Sequence, residues 1–163
     1  ERRLPRARSP LTSGLESGFL QHRRGGMIGI LIIAHGTLGE SLVHCASHVM
    51  GTRPSHLLQL GVGIHDDPVK LHPTVLKLVR QLDEGDGVLI LTDVYGATPS
   101  NIASRALIPG HVEGIAGVSL PMLVRALTYR NEPLRTVVAK AMSGGVEGVY
   151  KMPPAHENAA TGS

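Results

Sequence analysis

The chain has 163 residues, 42% of them hydrophobic but only 2% aromatic, with one cysteine and a formal net charge of +3. That length suits one domain with a self-sufficient core, and the lack of aromatic stacking platforms argues against single-stranded nucleic acid as a ligand. A lone thiol excludes an intramolecular disulfide and makes a reduced cytoplasm the expected compartment; no apolar run reaches the ~20 residues of a membrane span, so membrane insertion is not expected.

The basic charge is concentrated at the start. Arg2, Arg3, Arg6, Arg8, Arg23 and Arg24 stand against Glu1 and Glu16, a net of +4 that leaves −1 for residues 27–163. Residues 1–26 are expected to be a disordered basic extension with no part in the fold. From Met27 onward, strands and helices alternate. Ile28–Ala34 reads as a buried strand because it is nearly all β-branched residues or leucine. Gly39–Met50 reads as a helix from the spacing of Leu42, Cys45, Ala46 and Val49, with Cys45 expected to be packed or half-buried. His44 and His48, four apart on that helix, are expected to be surface or packing residues rather than metal ligands.

Leu57–Val62 forms the second expected strand. Asp66-Asp67-Pro68 then offers a cap and a first-turn proline to a helix whose apolar face is Leu71, Val75, Leu78, Val79 and Leu82. Pro73 is expected to shift the start of this helix or kink it. Asp86-Gly87 turns into a third strand, Val88–Thr92, followed by a short helix over Asn101–Leu107, a fourth strand over Val112–Val118 and a helix over Pro121–Tyr129. Pro133 opens a last helix to about Met142, which Gly144-Gly145 is expected to stop. Val146–Lys151 alternates apolar with polar residues, as an edge strand does. Residues 153–163 lack periodicity and are expected to form a flexible tail, bounding the folded domain at 27–152.

Successive strand–helix units of this length imply a three-layer α/β fold, a mainly parallel open sheet with helices on both faces. Such sheets bind ligands beyond the carboxyl ends of their strands, where strand order reverses. That rule directs attention to Ala34-His35-Gly36-Thr37 after the first strand and to Asp93–Asn101 after the third. If those strands are neighbours, His35 and Asp93 share one rim, with His65 near it. An imidazole accepts a phosphoryl group on one nitrogen while the other holds a proton. A carboxylate accepting that N–H fixes the tautomer and stabilises the charge that develops as the ring attacks. Gly36 and Thr37 beside the ring, the small Gly96 and Ala97, the Thr98 hydroxyl, and Ser100 and Asn101 at the opening of a helix with free N–H groups form the expected phosphate support. Either loop alone also reads as an ordinary turn. The sequence carries neither a P-loop nor an acidic metal cluster, so the expected donor is a phosphoprotein and no cofactor or metal is expected.

On these residues the chain resembles the mannose-family IIA component of the bacterial phosphoenolpyruvate-dependent sugar phosphotransferase system. The resemblance runs from about Met27 to Lys151. It rests on the strand ending in His35-Gly36, on the loop DVYGATPSN at 93–101, and on IAGVSLPML at 115–123, where Ser119 replaces the asparagine of many members. It implies that His35 is the phosphorylated histidine, charged by phospho-HPr, that Asp93 is its hydrogen-bonding carboxylate, and that Thr98 is the site's Ser or Thr. It further implies a phosphotransferase that passes the group to a IIB-type acceptor. A homodimer that exchanges a C-terminal antiparallel strand, here Val146–Lys151, is implied as well. With no IIB segment following Lys151, the expected role is either carbohydrate uptake or a regulatory relay. Two alternatives stand beside it: a regulatory binding module without sugar transport, and a small tetrapyrrole metal chelatase, which begins with a similar Ala-His-Gly turn.

Overall fold

A computed structural model of the protein describes residues 26–155. In chain order the elements are β1 (Gly29–His35), α1 (Leu38–Met50), β2 (Leu57–Val62), α2 (Pro68–Leu82), β3 (Val88–Thr92), α3 (Thr98–Ser104), β4 (Val112–Ala116), α4 (Leu120–Tyr129) and α5 (Leu134–Glu147). Except for Gly26, the extension expected over residues 1–26 lies outside the described residues, as does the expected tail beyond residue 155.

The strands pair in parallel in the order β2-β1-β3-β4. The chain steps from β1 to β2 on one side, then crosses back to place β3 on the other side of β1. Strand order therefore reverses between β1 and β3. Strand β1 can occupy this central position because both of its faces are apolar. Ile30, Ile32 and Ala34 join Leu89 and Leu91 of β3 beneath α1, α4 and α5. Leu31 and Ile33 join Val88 and Ile90 beneath α2 and α3. All of these side chains are fully buried, which accounts for the unbroken apolar run in the sequence. The result is the expected three-layer architecture.

Several boundaries follow local chemistry closely. The Asp67 side chain accepts the Val69 N–H at 2.9 Å and Pro68 occupies the first turn of α2, which runs through Pro73 without a shifted start. Helix α3 begins at Thr98, three residues before the expected start, since Pro99 suits a first turn. Strand β4 ends at Ala116 rather than Val118, because Gly117 turns the chain at φ +90°.

The C-terminal expectations need correction. Gly144-Gly145 does not stop α5, which continues to Glu147, and no strand forms over Val146–Lys151. Tertiary packing explains the difference: a Cβ at Gly144 would lie 2.9 Å from the Arg125 Cβ, and one at Gly148 would lie 2.6 Å from the Pro121 Cβ. The glycines let α5 approach α4, and that contact outweighs their weak helix propensity. Arg125 reinforces it by donating to Ser143 at 3.2 Å and to Glu147 at 2.6 Å. Residues 148–155 leave the helix without regular structure, with Val149, Tyr150 and Met152 exposed.

Candidate functional site

The last residue of β1 is His35, and Asp93 directly follows the last residue of β3. Because β1 and β3 pair in parallel register, Ile33 opposite Thr92, the two side chains emerge together at the carboxyl rim where strand order reverses. His35 Nδ1 lies 2.7 Å from Asp93 Oδ2, and the same oxygen accepts the His35 backbone N–H at 2.9 Å. Asp93 Oδ1 accepts the Val94 N–H at 2.9 Å. Three donors thus fix the carboxylate, and the carboxylate fixes the ring.

Burial alone would raise the pKa of Asp93, but the His35 N–H, the His35 ring and the Val94 N–H together outweigh it and hold the carboxyl below its ordinary value of 3.8. Asp93 is therefore ionised near neutral pH and has no proton to give. The proton in the 2.7 Å contact belongs to His35 Nδ1, which leaves the Nε2 lone pair free. The His35 side chain is 53% exposed while that of Asp93 is 10% exposed. A largely hidden carboxylate thus orients a half-exposed ring.

The other predicted site residues surround this pair. Gly36 adopts φ +54° and donates its N–H to the Val62 carbonyl at 2.9 Å, turning the chain sharply after the histidine. Thr37 stands at the N-cap of α1 but makes no side-chain cap bond, so the N-terminus of α1 opens two residues from the ring with no hydroxyl covering it. Gly96, at φ +82°, is held on both sides: its N–H donates to Ser100 Oγ at 2.8 Å, and its carbonyl accepts from Asn101 Nδ2 at 3.2 Å. The Ala97 carbonyl accepts the Ser100 hydroxyl at 3.1 Å. Ser100 and Asn101 therefore brace the loop from within, whereas Thr98 is exposed at the first position of α3. His65 is exposed on the β2–α2 connection at the same rim.

Two contributors went unread in the sequence. Gly61 of β2 lies opposite Ala34, and any Cβ there would strike the Gly36 carbonyl. A glycine inside an otherwise apolar strand is the signal that another backbone approaches closely. The second is the uncapped start of α1, which the threonine at position 37 concealed, because threonine is an ordinary capping residue.

Other sequence candidates lie elsewhere. His44 and His48 are exposed on α1. Cys45, expected to be packed or half-buried, is exposed, because Val43 and Ala46 carry the buried face of that helix. Among the described residues, no three His, Cys, Asp or Glu side chains converge as a metal site would require, and no helix is long and apolar enough to cross a membrane. A recess of about 280 Å³ adjoins the braced loop, lined by Tyr95, Gly96, Ser100, Asn101 and Ile115 among others. A larger one, about 790 Å³, lies around His111 and Arg135, away from His35.

An oriented imidazole at the switch point of a parallel sheet has the chemistry to act as a nucleophile. The family described as "PTS system fructose IIA component" matches residues 29–142. Similarity extends to the mannose-specific EIIAB component of Escherichia coli strain K12, 36% identical over 130 residues, covering 75% of this chain and 38% of that protein. The transcriptional regulatory protein LevR of Bacillus subtilis strain 168 is 24% identical over 140 residues, covering 78% of this chain and 14% of LevR. In structure, the mannose/sorbose-specific IIA subunit from Enterococcus faecalis matches with a TM-score of 0.70 at 18% identity, over 78% of this chain and 96% of that one. The chain belongs to the mannose/fructose-type IIA family of the sugar phosphotransferase system, a family of phosphoryl-transfer components.

Proposed function

We propose that His35 Nε2 accepts a phosphoryl group from phospho-HPr and passes it to a IIB-type acceptor. The observation that carries this reading is the 2.7 Å contact between His35 Nδ1 and an ionised Asp93, which leaves Nε2 as the exposed nucleophile. In the forward step the Nε2 lone pair forms the new N–P bond while the donor–phosphorus bond breaks, its electron pair returning to the donor. Asp93 stabilises the positive charge on the ring as that bond forms. Thr98, the start of α1 with Thr37 at its N-cap, and the small residues Gly36, Gly96 and Ala97 provide hydroxyl, N–H groups and space for the phosphoryl oxygens, with Ser100 and Asn101 bracing the Gly96 backbone. The work is positioning and charge stabilisation, in a cytoplasmic protein.

The test is incubation with phosphoenolpyruvate, enzyme I and HPr. The expected product is an acid-labile, base-stable phosphoprotein, because protonation of the ring nitrogen destabilises the N–P bond. Equal labelling of a His35→Ala variant would refute the proposal.

Dimerisation by strand exchange belongs to the same reading. It is supported by the exposed Val149, Tyr150 and Met152 beyond α5 and by the outer edge of β4, which past the Ile108–Val112 bridge pairs with no further strand among the described residues. Truncation after Glu147 should convert a sedimenting dimer to monomer, and an unchanged mass would overturn this part alone. A second reading, in which phosphorylation of His35 switches partner binding, is favoured by the similarity to LevR. Identical partner sets captured by phosphorylated and bare protein would count against it.

A further inference from the structure

A second polar region lies on the α3 face of the sheet, toward the β4 edge. Thr92, the last residue of β3, is the one buried polar side chain among the described residues, at 3% exposed. Its cross-strand neighbours are Ile33 on β1 and Ala116 on β4, neither of which offers a side-chain partner. The Thr92 hydroxyl makes no hydrogen bond among the described residues, and the residue lines the recess of about 280 Å³ between α3 and β4. Burying a hydroxyl is unfavourable unless something bonds it.

The other polar groups of this recess have already committed their protons. The Ser104 hydroxyl donates to the Asn101 carbonyl at 2.8 Å, and the Ser100 hydroxyl donates to the Ala97 carbonyl at 3.1 Å. Asn101 Nδ2 donates to the Gly96 carbonyl at 3.2 Å, and Asn101 Oδ1 receives no donor among the described residues. The recess therefore presents mainly oxygen acceptors, with the Thr92 hydroxyl able to serve in either sense. No charged side chain is among those that line it. A phosphate or carboxylate, which only accepts, finds few donors and no counter-charge there, and an ammonium finds no carboxylate. A neutral molecule bearing several O–H groups satisfies these walls. Ala103, Leu107 and Ile115 add an apolar side, and the Tyr95 ring, 90% exposed, offers a surface for C–H groups. The volume stands at the small end of ligand cavities, which suits a molecule below drug size.

We infer that this recess binds a small neutral polyhydroxylated molecule, between glycerol and a monosaccharide in size, with the Thr92 hydroxyl as its central partner. Thr92 directly precedes Asp93, and Ser100 and Asn101 brace Gly96, so the occupant touches the framework that carries the carboxylate. The binding itself does not depend on what His35 does.

The full chain is titrated with glycerol, ribose and glucose through the millimolar range, followed by amide and methyl NMR, with glucose 6-phosphate as the charged comparison. At least one neutral probe is expected to give saturable shifts centred on Thr92, Ala103, Ser104 and Ala116, and the phosphate ester is expected to give none. Thr92→Val keeps the shape and removes the hydroxyl. It is expected to weaken binding about three- to tenfold, the worth of one neutral hydrogen bond. Without ligand its thermal midpoint is expected to equal or exceed that of the parent, because no internal bond is lost. Ala116→Leu fills the recess and is expected to abolish the shifts.

No saturable shift with any of the three neutral probes would overturn the inference, as would equal binding by Thr92→Val or stronger binding of the phosphate ester. A lowered midpoint of ligand-free Thr92→Val would do the same, since the hydroxyl would then have an internal partner. So would a change from dimer to monomer in Ala116→Leu, because a second copy would then fill the recess. Binding without labelling of His35 leaves this site standing and defeats the phosphocarrier reading; labelling without binding does the reverse.

Discussion

The most demanding test of the site is Asp93→Asn, a change that preserves shape and removes charge. Both oxygens of Asp93 face donors: Oδ2 takes the His35 N–H at 2.9 Å and Nδ1 at 2.7 Å, and Oδ1 takes the Val94 N–H at 2.9 Å. Asparagine has a single side-chain oxygen, so its NH₂ must oppose one of these sets. Turned toward Val94, it leaves a backbone donor unpaired and weakens the ring contact from charge-assisted to neutral. Turned toward His35, it donates to Nδ1, moves the ring proton to Nε2 and removes the attacking lone pair. A hydrogen bond to a charged group contributes ~1.5–3 kcal/mol, and its loss as positive charge develops on the ring corresponds to a rate about 10- to 150-fold lower. Rapid-quench transfer from labelled phospho-HPr measures the rate, and ¹⁵N chemical shifts of the His35 ring report the tautomer. A folded Asp93→Asn protein that transfers within about threefold of the parent, with the same tautomer, would refute the orienting role.

Gly61→Ala should disturb both fold and site, because the added Cβ drives into the Gly36 carbonyl beside His35; overpacking of ~1–3 kcal/mol should lower Tm by several degrees by calorimetry and slow transfer together. Ser100→Ala removes the bonds to the Gly96 N–H and the Ala97 carbonyl; a loss of ~0.5–1.5 kcal/mol per bond is expected in denaturant melts, with reduced transfer from a loosened loop. Acid should destabilise the fold through Asp83 and Asp93. Burial opposes ionisation of both, but hydrogen bonds and the paired histidines lower both pKa values below the ordinary 3.8. Their stabilisation is thus present above that value and is lost as pH falls through the lowered one. Asp83→Asn should flatten the dependence of Tm on pH in this range, and an unaltered acid limb would contradict it.

How legible was this in the sequence? The expected limits of β2 and β3 coincide with those observed, and β1 is displaced by one residue at each end. β1 and β3 are dense runs of buried β-branched residues and leucine, where composition and tertiary burial demand the same conformation, whereas β2 is an apolar run interrupted by Gln59 and Gly61 and buried only at its ends. The meeting of His35 with Asp93 is legible wherever β1 and β3 are neighbours, because a topological rule then places both residues on one rim. Less legible were features that depend on a distant backbone. Gly61 looks like a weak strand residue until the Gly36 carbonyl stands opposite it, and Gly144-Gly145 looks like a helix stop until α4 packs against it. In both cases a local rule gave way to a contact between residues far apart in the chain or on different elements. The exposure of Cys45 belongs with them, since the spacing of Leu42, Cys45, Ala46 and Val49 admits a rotation of α1 that only its neighbours decide.

A histidine beside a carboxylate does not make a transfer site, and this protein contains its own controls. His111 Nε2 lies 2.5 Å from Asp83 Oδ2, and His56 Nε2 lies 2.6 Å from Glu84 Oε1, as close as the His35 pair. Both lie around the starts of strands. Asp83 also accepts the N–H groups of Gly85 and Gly87 through Oδ1, so that carboxylate closes the turn into β3 while its histidine ties the turn to the start of β4. That end of the sheet is where the strands begin, and the start of α5 at Leu134 packs beside His111 there. What distinguishes His35 is placement: it ends a strand buried on both faces, at the carboxyl rim where strand order reverses. The same burial that stabilises the sheet gives one exposed imidazole a fixed direction, as the proposed phosphocarrier role would require.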